Sequence, residues 1–153
     1  MKFSLCIPMY NEVSIIEETA KTLSAYMSEH FDDYEILFAN DGSTDNSAEM
    51  VEKLALPNVR VVGYEKNRGK GAAVRTAVLC SVGDVVMFTD ADLAYGTEVI
   101  SRVAKAFEEN PDVDAVIGSR NISKDGYEGY TLVRKLASKA YIKLLCFAGG
   151  LKL

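Results

Sequence analysis

Short apolar runs alternate along the chain with stretches in which apolar residues recur every three or four positions. The runs Phe3-Ser4-Leu5-Cys6-Ile7, residues 35–39, 59–64, 85–89 and 114–118 read as strands. Between them lie helical stripes: Ile16, Ala20, Leu23 and Met27; Ala48, Val51 and Leu54; Ala72, Ala73 and Ala77; Ile100, Val103, Ala104 and Phe107. A last stripe holds Val133, Leu136, Ala140, Leu144 and Phe147 and stops at Gly149-Gly150. Pro8 is expected to end the first strand. Ser14 with Glu17 is a capping-box pair for the first helix, and Thr97 an N-cap for the fourth. Strands alternating with helices predict an α/β fold, an open, mostly parallel sheet with flanking helices.

Polar residues gather just after each strand, where such sheets bind ligands. Residues 85–89 read as a strand buried on both faces that delivers Asp90 and Asp92 at its C-terminal end. Two acids spaced one apart point the same way while a strand lasts, and a hard divalent cation relieves their repulsion. The spacing therefore suggests a Mg²⁺ or Mn²⁺ site that also grips a diphosphate; two solvated loop acids are the alternative. Tyr10 can stack on a base or be a partly buried loop aromatic. Asp41 can accept from a base N–H or a ribose hydroxyl, or belong to a plain Asp-Gly turn. Neither familiar phosphate motif fits residues 63–75. Five residues, not four, separate Gly63 from Gly69, and Val74 stands where a dinucleotide fingerprint needs a third Gly or Ala. A glycine-rich turn remains, opening a helix of small residues, with Arg68, Lys70 and Arg75 nearby. Either phosphate attraction or close helix packing explains it. Arg120, after the fifth run, can meet an acceptor phosphate or form a surface ion pair.

A length of 153 residues suits one domain. Hydrophobic residues at 48% and charged residues at 25% are globular proportions. A net charge of −5 argues against nucleic acid as the partner. Cys6, Cys80 and Cys146 each sit in an apolar run and read as buried reduced thiols, so a cytoplasmic location is expected. His30, the one histidine, reads as a surface or capping residue at a helix end. No run reaches the roughly 18 apolar residues of a membrane span. The apolar end from Tyr141 to Leu153 reads as a chain cut inside a larger unit.

Three segments together resemble the family-2 glycosyltransferases of the GT-A fold, the Rossmann-like architecture of nucleotide-diphospho-sugar transferases. They are Ile7-Pro8-Met9-Tyr10-Asn11-Glu12, Asn40-Asp41-Gly42-Ser43-Thr44-Asp45 and Thr89-Asp90-Ala91-Asp92, in matching order and spacing. Asn67-Arg68-Gly69-Lys70-Gly71-Ala72-Ala73-Val74-Arg75 and Gly118-Ser119-Arg120 add a likeness to dolichyl- or polyprenyl-phosphate sugar synthases, glucosyl or mannosyl. The Asn-Arg-Gly-Lys-Gly form leans towards UDP-glucose as donor. The resemblance implies that Pro8, Tyr10, Glu12 and Asp41 hold the nucleoside. Asp90 and Asp92 would hold the metal and diphosphate beside the Ala91 backbone. Lys70 would lie near the donor and Arg120 near the lipid phosphate, with Asp92 and Arg120 acting in catalysis. It implies inverting, single-displacement transfer to a polyprenyl phosphate at the cytoplasmic face of a membrane. On this reading, residues 1–153 are a single donor-binding domain without its C-terminal acceptor-side segment, and turn over poorly alone. Rival expectations are a family-2 transferase acting on a hydroxyl acceptor and a non-catalytic nucleotide-sugar binding module. The absent glycine fingerprint disfavours a dehydrogenase.

Overall fold

The structure is a computed structural model and describes residues 1–118. Arg120, Cys146 and the stripe from Val133 to Phe147 lie outside the described residues. Met1–Asp114 form one compact unit; Ala115–Leu153 belong to a second.

Four strands, β1 (Phe3–Met9), β2 (Tyr34–Asp41), β3 (Val59–Tyr64) and β4 (Val85–Phe88), alternate with four helices. These are α1 (Ile16–His30), α2 (Ser47–Lys53), α3 (Lys70–Cys80) and α4 (Glu98–Glu109). The strands are parallel in the order β3-β2-β1-β4. After β1 the chain steps outward through β2 to β3, then crosses back to place β4 on the other side of β1. That reversal opens a crevice past the C-terminal ends of β1 and β4.

The two sheet faces are covered differently. On one, Phe3, Leu5, Ile7, Ile36 and Phe38 pack with Ile16, Ala20, Leu23 and Met27 of α1, Val51 of α2, and Ile100 and Ala104 of α4. All four stripe residues of α1 are fully buried, each large one stabilising by about 1.5–3 kcal/mol. On the other face, Cys6, Leu37 and Ala39 meet Ala73 and Ala77 of α3. Two alanines four apart bring this helix close to the sheet, so the close-packing reading of the small residues holds. Burial pushes the Cys6 thiol up to about 12, with the charge of Glu35 adding to the shift, so it is an inert thiol. His30 lies in the last turn of α1, exposed, stacked on Tyr26 and donating from Nδ1 to its carbonyl at 2.9 Å.

Several local expectations are corrected. Pro8 continues β1, in register with Ala39; β4 has already ended opposite Cys6, so the missing N–H falls where β1 has a neighbour on one side only. The capping box does not form. The Glu12 carbonyl accepts from the amides of Ile15 and Ile16, closing the first turn from the backbone, and Glu17 pairs with Lys21 instead. Thr97 stands at the N-cap of α4 without a side-chain cap bond. Among the described residues β4 is an edge strand of four residues, and its Val86 and Phe88 are exposed, not buried. Residues 114–118 form no strand: no ladder partner is present for them among the described residues.

Candidate nucleotide-binding cleft

The crevice beyond β1 and β4 is a cleft of about 520 Å³, within the usual range for small-ligand sites. Pro8, Met9, Tyr10 and Glu12 line it from β1 and the loop after it. Asp41 lines it from the end of β2, Asn67 and Gly69 from the loop before α3, Lys70 and Ala73 from the start of α3, and Asp90, Ala91 and Asp92 from beyond β4. Every sequence-predicted site residue among the described residues therefore lines one cleft; Arg120 lies outside them. A smaller hollow of about 300 Å³ beside α2 and β3 is lined mainly by aliphatic groups such as Val51, Leu56 and Val61.

Asp90 and Asp92 arrive differently from the expectation. β4 ends at Phe88; the Thr89 amide makes a last bond to the Cys6 carbonyl at 3.1 Å, and the chain then turns. Leu93 donates to the Asp90 carbonyl at 3.3 Å and itself sits at φ 49°, while Ala94 donates to Asp92 Oδ1 at 3.1 Å. The acids are thus brought together by a turn rather than by strand periodicity. Thr19 of α1 pins this turn, its hydroxyl donating to the buried Ala91 carbonyl at 2.7 Å. Nothing in the sequence pattern singled out Thr19.

Lys70 Nζ is hydrogen-bonded and ion-paired to Asp90 Oδ1, with both side chains about half exposed. Gly69, at φ 91°, turns the chain into α3, and no acidic residue occupies the first turn of that helix. Its positive dipole end thus faces the cleft with a lysine added, a combination that attracts anions.

Asp41 is 3% exposed and already engaged. Oδ1 accepts from the Tyr64 hydroxyl at 2.6 Å and the Arg68 amide at 2.9 Å, and Oδ2 accepts from Asn67 Nδ2 at 3.1 Å. Burial and the Asp41 charge push the Tyr64 phenol up to about 12, so it stays a donor at neutral pH. Asp41 therefore ties β2 to the loop before α3, and Oδ2, with one bond made, retains acceptor capacity. Gly42 permits this approach: at φ 69°, its Cβ would stand 2.5 Å from the Asn67 amide nitrogen. The link of Tyr64 and Asn67 to Asp41 spans separate elements and leaves no signal in the sequence pattern. Tyr10 is 45% exposed at the cleft mouth, leaving its ring face accessible.

A cation-binding role fits the donors present. Asp90 and Asp92 offer hard oxygen ligands to one cleft, and the Asp90 carboxylate already attracts the Lys70 ammonium. No group of three or more metal-ligating residues occurs among the described residues. Two carboxylates completed by substrate phosphates and water are enough for Mg²⁺, which rarely uses an all-protein cage.

The strand order and the polar edge at the reversal point define a doubly wound α/β domain of the GT-A kind. The chain belongs to Glycosyl transferase family 2, whose description it matches over residues 4–149. It is 35% identical to the putative glycosyltransferase CsbB of Bacillus subtilis, over 93% of this chain and 42% of that protein. It is 33% identical to the dolichyl-phosphate beta-glucosyltransferase ALG5C of Trichomonas vaginalis, over 94% of this chain and 46% of the relative. The chain thus spans less than half the length of these relatives. Among solved structures it resembles the mannosyltransferase PcManGT from Pyrobaculum calidifontis, in complex with GDP-Man and Mn²⁺. That match has a TM-score of 0.65 and 25% identity, and covers 82% of this chain and 37% of the other. No helix among the described residues is long and apolar enough to cross a membrane.

Proposed function

We propose that residues 1–118 carry the donor site of an inverting glycosyltransferase that moves a sugar from a nucleotide-diphosphate sugar, UDP-glucose favoured, to a polyprenyl phosphate. The carrying observation is the convergence of Tyr10, Asp41, Lys70, Asp90 and Asp92 on one cleft. Tyr10 offers a ring face to the base, and Asp41 Oδ2 an acceptor to a pyrimidine N–H or ribose hydroxyl. Glu12 and Pro8 border the nucleoside. Lys70 exchanges its contact with Asp90 for the donor diphosphate, so binding replaces one ion pair by another. Asp90 and Asp92 hold Mg²⁺ or Mn²⁺, which when bound supplies Lewis-acid stabilisation of the leaving diphosphate. A lipid phosphate is already an anion near pH 7 and needs no strong general base, whereas a sugar hydroxyl would require one. Arg120 is proposed to meet that phosphate, and the dolichyl-phosphate relative supports this acceptor class. Membrane-face association follows from such an acceptor.

A thermal-shift panel of UDP- and GDP-sugars, with and without Mn²⁺, tests the reading, followed by assay of radiolabelled transfer to polyprenyl phosphate. A Mn²⁺-dependent shift largest with UDP-glucose is expected. A larger shift with GDP-mannose would keep the site and change the donor; no shift with any nucleotide sugar would overturn the proposal.

A further inference from the structure

Three consecutive amides follow Tyr10, and each is taken by a side chain from the loop between β2 and α2 or from Ser47, the first residue of α2. Asn11 N–H donates to Ser43 Oγ at 3.1 Å, Glu12 N–H to Ser47 Oγ at 2.9 Å, and Val13 N–H to Asp45 Oδ2 at 3.1 Å. The Thr44 amide donates back to Asn11 Oδ1 at 2.8 Å. The loop is tied to its flanking elements as well: the Ser47 amide and hydroxyl both donate to Asp45 Oδ1, and the Ser43 amide donates to Asn40 Oδ1 at 2.9 Å. Asn11 is held at φ 56°, a conformation asparagine tolerates and most residues avoid.

Successive free amides make an anion-binding concavity, and dinucleotide-binding folds use the first strand-to-helix turn in that way. Here the chain fills that position with its own carboxylate and hydroxyls, so the amides of residues 11–13 are not available to a phosphate. A bound diphosphate must find its partners across the cleft, where Lys70, Asp90 and Asp92 stand. The same bonds fix the backbone on which Tyr10 and Glu12 are mounted. Asp45 itself does not line the cleft.

We infer that Asp45 is a positioning residue for the nucleoside half of the site, acting through the amides of Val13 and, by way of Ser47, Glu12 to hold Tyr10 and Glu12 at the cleft mouth. This rests on the nucleotide-sugar reading of the cleft. It assigns a task to the Ser43-Thr44-Asp45 stretch other than ligand contact. It also predicts a split that a merely structural brace would not produce: nucleoside recognition weakens while diphosphate recognition does not.

Calorimetric titration of the full chain with Mn²⁺ and either UDP or inorganic pyrophosphate tests this, alongside amide hydrogen exchange across residues 10–13. Asp45→Ala is expected to weaken UDP about tenfold, the scale of one lost charge-assisted hydrogen bond, and to leave pyrophosphate within about twofold. Asp45→Asn, which keeps one acceptor oxygen, should fall between the wild type and Asp45→Ala. Ser47→Ala removes the Glu12 acceptor and should show the same split, which keeps the test available if Asp45→Ala fails to fold. Exchange at residues 11–13 should speed up in each variant. Unchanged UDP affinity despite faster exchange, or equal losses for UDP and pyrophosphate, would overturn the positioning role while leaving the cleft assignment standing. Failure of the wild type to bind UDP or GDP with Mn²⁺, its amides remaining protected, would overturn the cleft assignment and the positioning role with it.

Discussion

The two ends of the sheet hold polar groups under opposite conditions. At the N-terminal end, the Glu35 carboxylate accepts from the Ser4 hydroxyl at 2.6 Å, the Val82 amide at 2.7 Å, and Arg60 Nε and Nη2 at 3.2 and 3.0 Å. Ser4 Oγ in turn accepts from the Gly83 amide at 2.8 Å, and Arg60 reaches the Cys80 carbonyl. Both carboxylate oxygens are occupied, Glu35 is buried, and the network ties the segment between α3 and β4 to the sheet. At the C-terminal end, Tyr10 and Asp92 are exposed and Lys70 and Asp90 share one half-exposed ion pair. Satisfied buried groups hold an architecture together; under-partnered groups in a concave site remain free to take a ligand. A strong carboxylate cluster is therefore not by itself a sign of chemistry. What separates the two clusters is how much hydrogen-bonding capacity is already spent.

Asp41 combines the two conditions, buried like Glu35 but placed at the ligand end, so it should show the largest combined effect. Asp41→Ala leaves Tyr64, Asn67 and Arg68 donors without their acceptor and is expected to cost about 3 kcal/mol in chemical denaturation. It should also weaken UDP more than bare diphosphate; equal losses would make Asp41 purely structural.

Glu35→Ala sharpens the contrast from the other end. Removing the shared acceptor of Ser4, Val82 and Arg60 should cost about 2–3 kcal/mol, while UDP affinity stays within about twofold. A change in affinity larger than the change in melting temperature explains would show that the two ends are coupled.

Acid should loosen the molecule through Glu35 and Asp45. Burial alone would raise both carboxyls, but hydrogen bonds from Ser4, Val82 and Arg60 to Glu35, and from Ser47 and Val13 to Asp45, outweigh it and hold both below their ordinary values. Their stabilising contribution is therefore complete above the unfolded carboxylate range, about pH 4–4.5, and is lost as the pH falls through the lower folded values. Urea midpoints at pH 7, 5 and 3 should fall mainly below pH 5, with a shallower fall in Glu35→Ala. An equal fall in that variant would remove Glu35 as a cause. The smallest effect belongs to the exposed pair between Lys21 and Glu17 on α1, where Lys21→Ala should cost about 0.3–0.5 kcal/mol.

The strands and helices through α4 were readable because periodicity reports which face is buried: Ile16, Ala20, Leu23 and Met27 needed no tertiary information. So were the acids and glycines at the ligand end, since a polar group after an apolar run stands out. The local devices were not readable. Ser14 and Glu17 have capping-box spacing, yet the Glu12 carbonyl captured the turn first. Asp90 and Asp92 looked like strand neighbours, but pairing with β1 ends at Cys6 and Phe88. The run at 114–118 is apolar enough for a strand, but a strand requires a partner as well as composition, and none stands beside it among the described residues. Asp45, Ser47, Thr19, Tyr64 and Asn67 act across more than 20 residues of chain in every bond described for them between elements. Such contacts leave no periodic trace in the sequence.

The proposed binding of a nucleotide diphosphate at the open end through Asp90 and Asp92 is tested most directly by calorimetric titration of UDP in Mn²⁺ and in EDTA. The wild type should bind UDP with Mn²⁺ and lose at least about tenfold in affinity with EDTA. Asp92→Asn, a change at an exposed side chain, should bind as weakly in Mn²⁺ as the wild type does in EDTA, with an unaltered melting temperature. Equal UDP affinity for both proteins in Mn²⁺ would contradict the account.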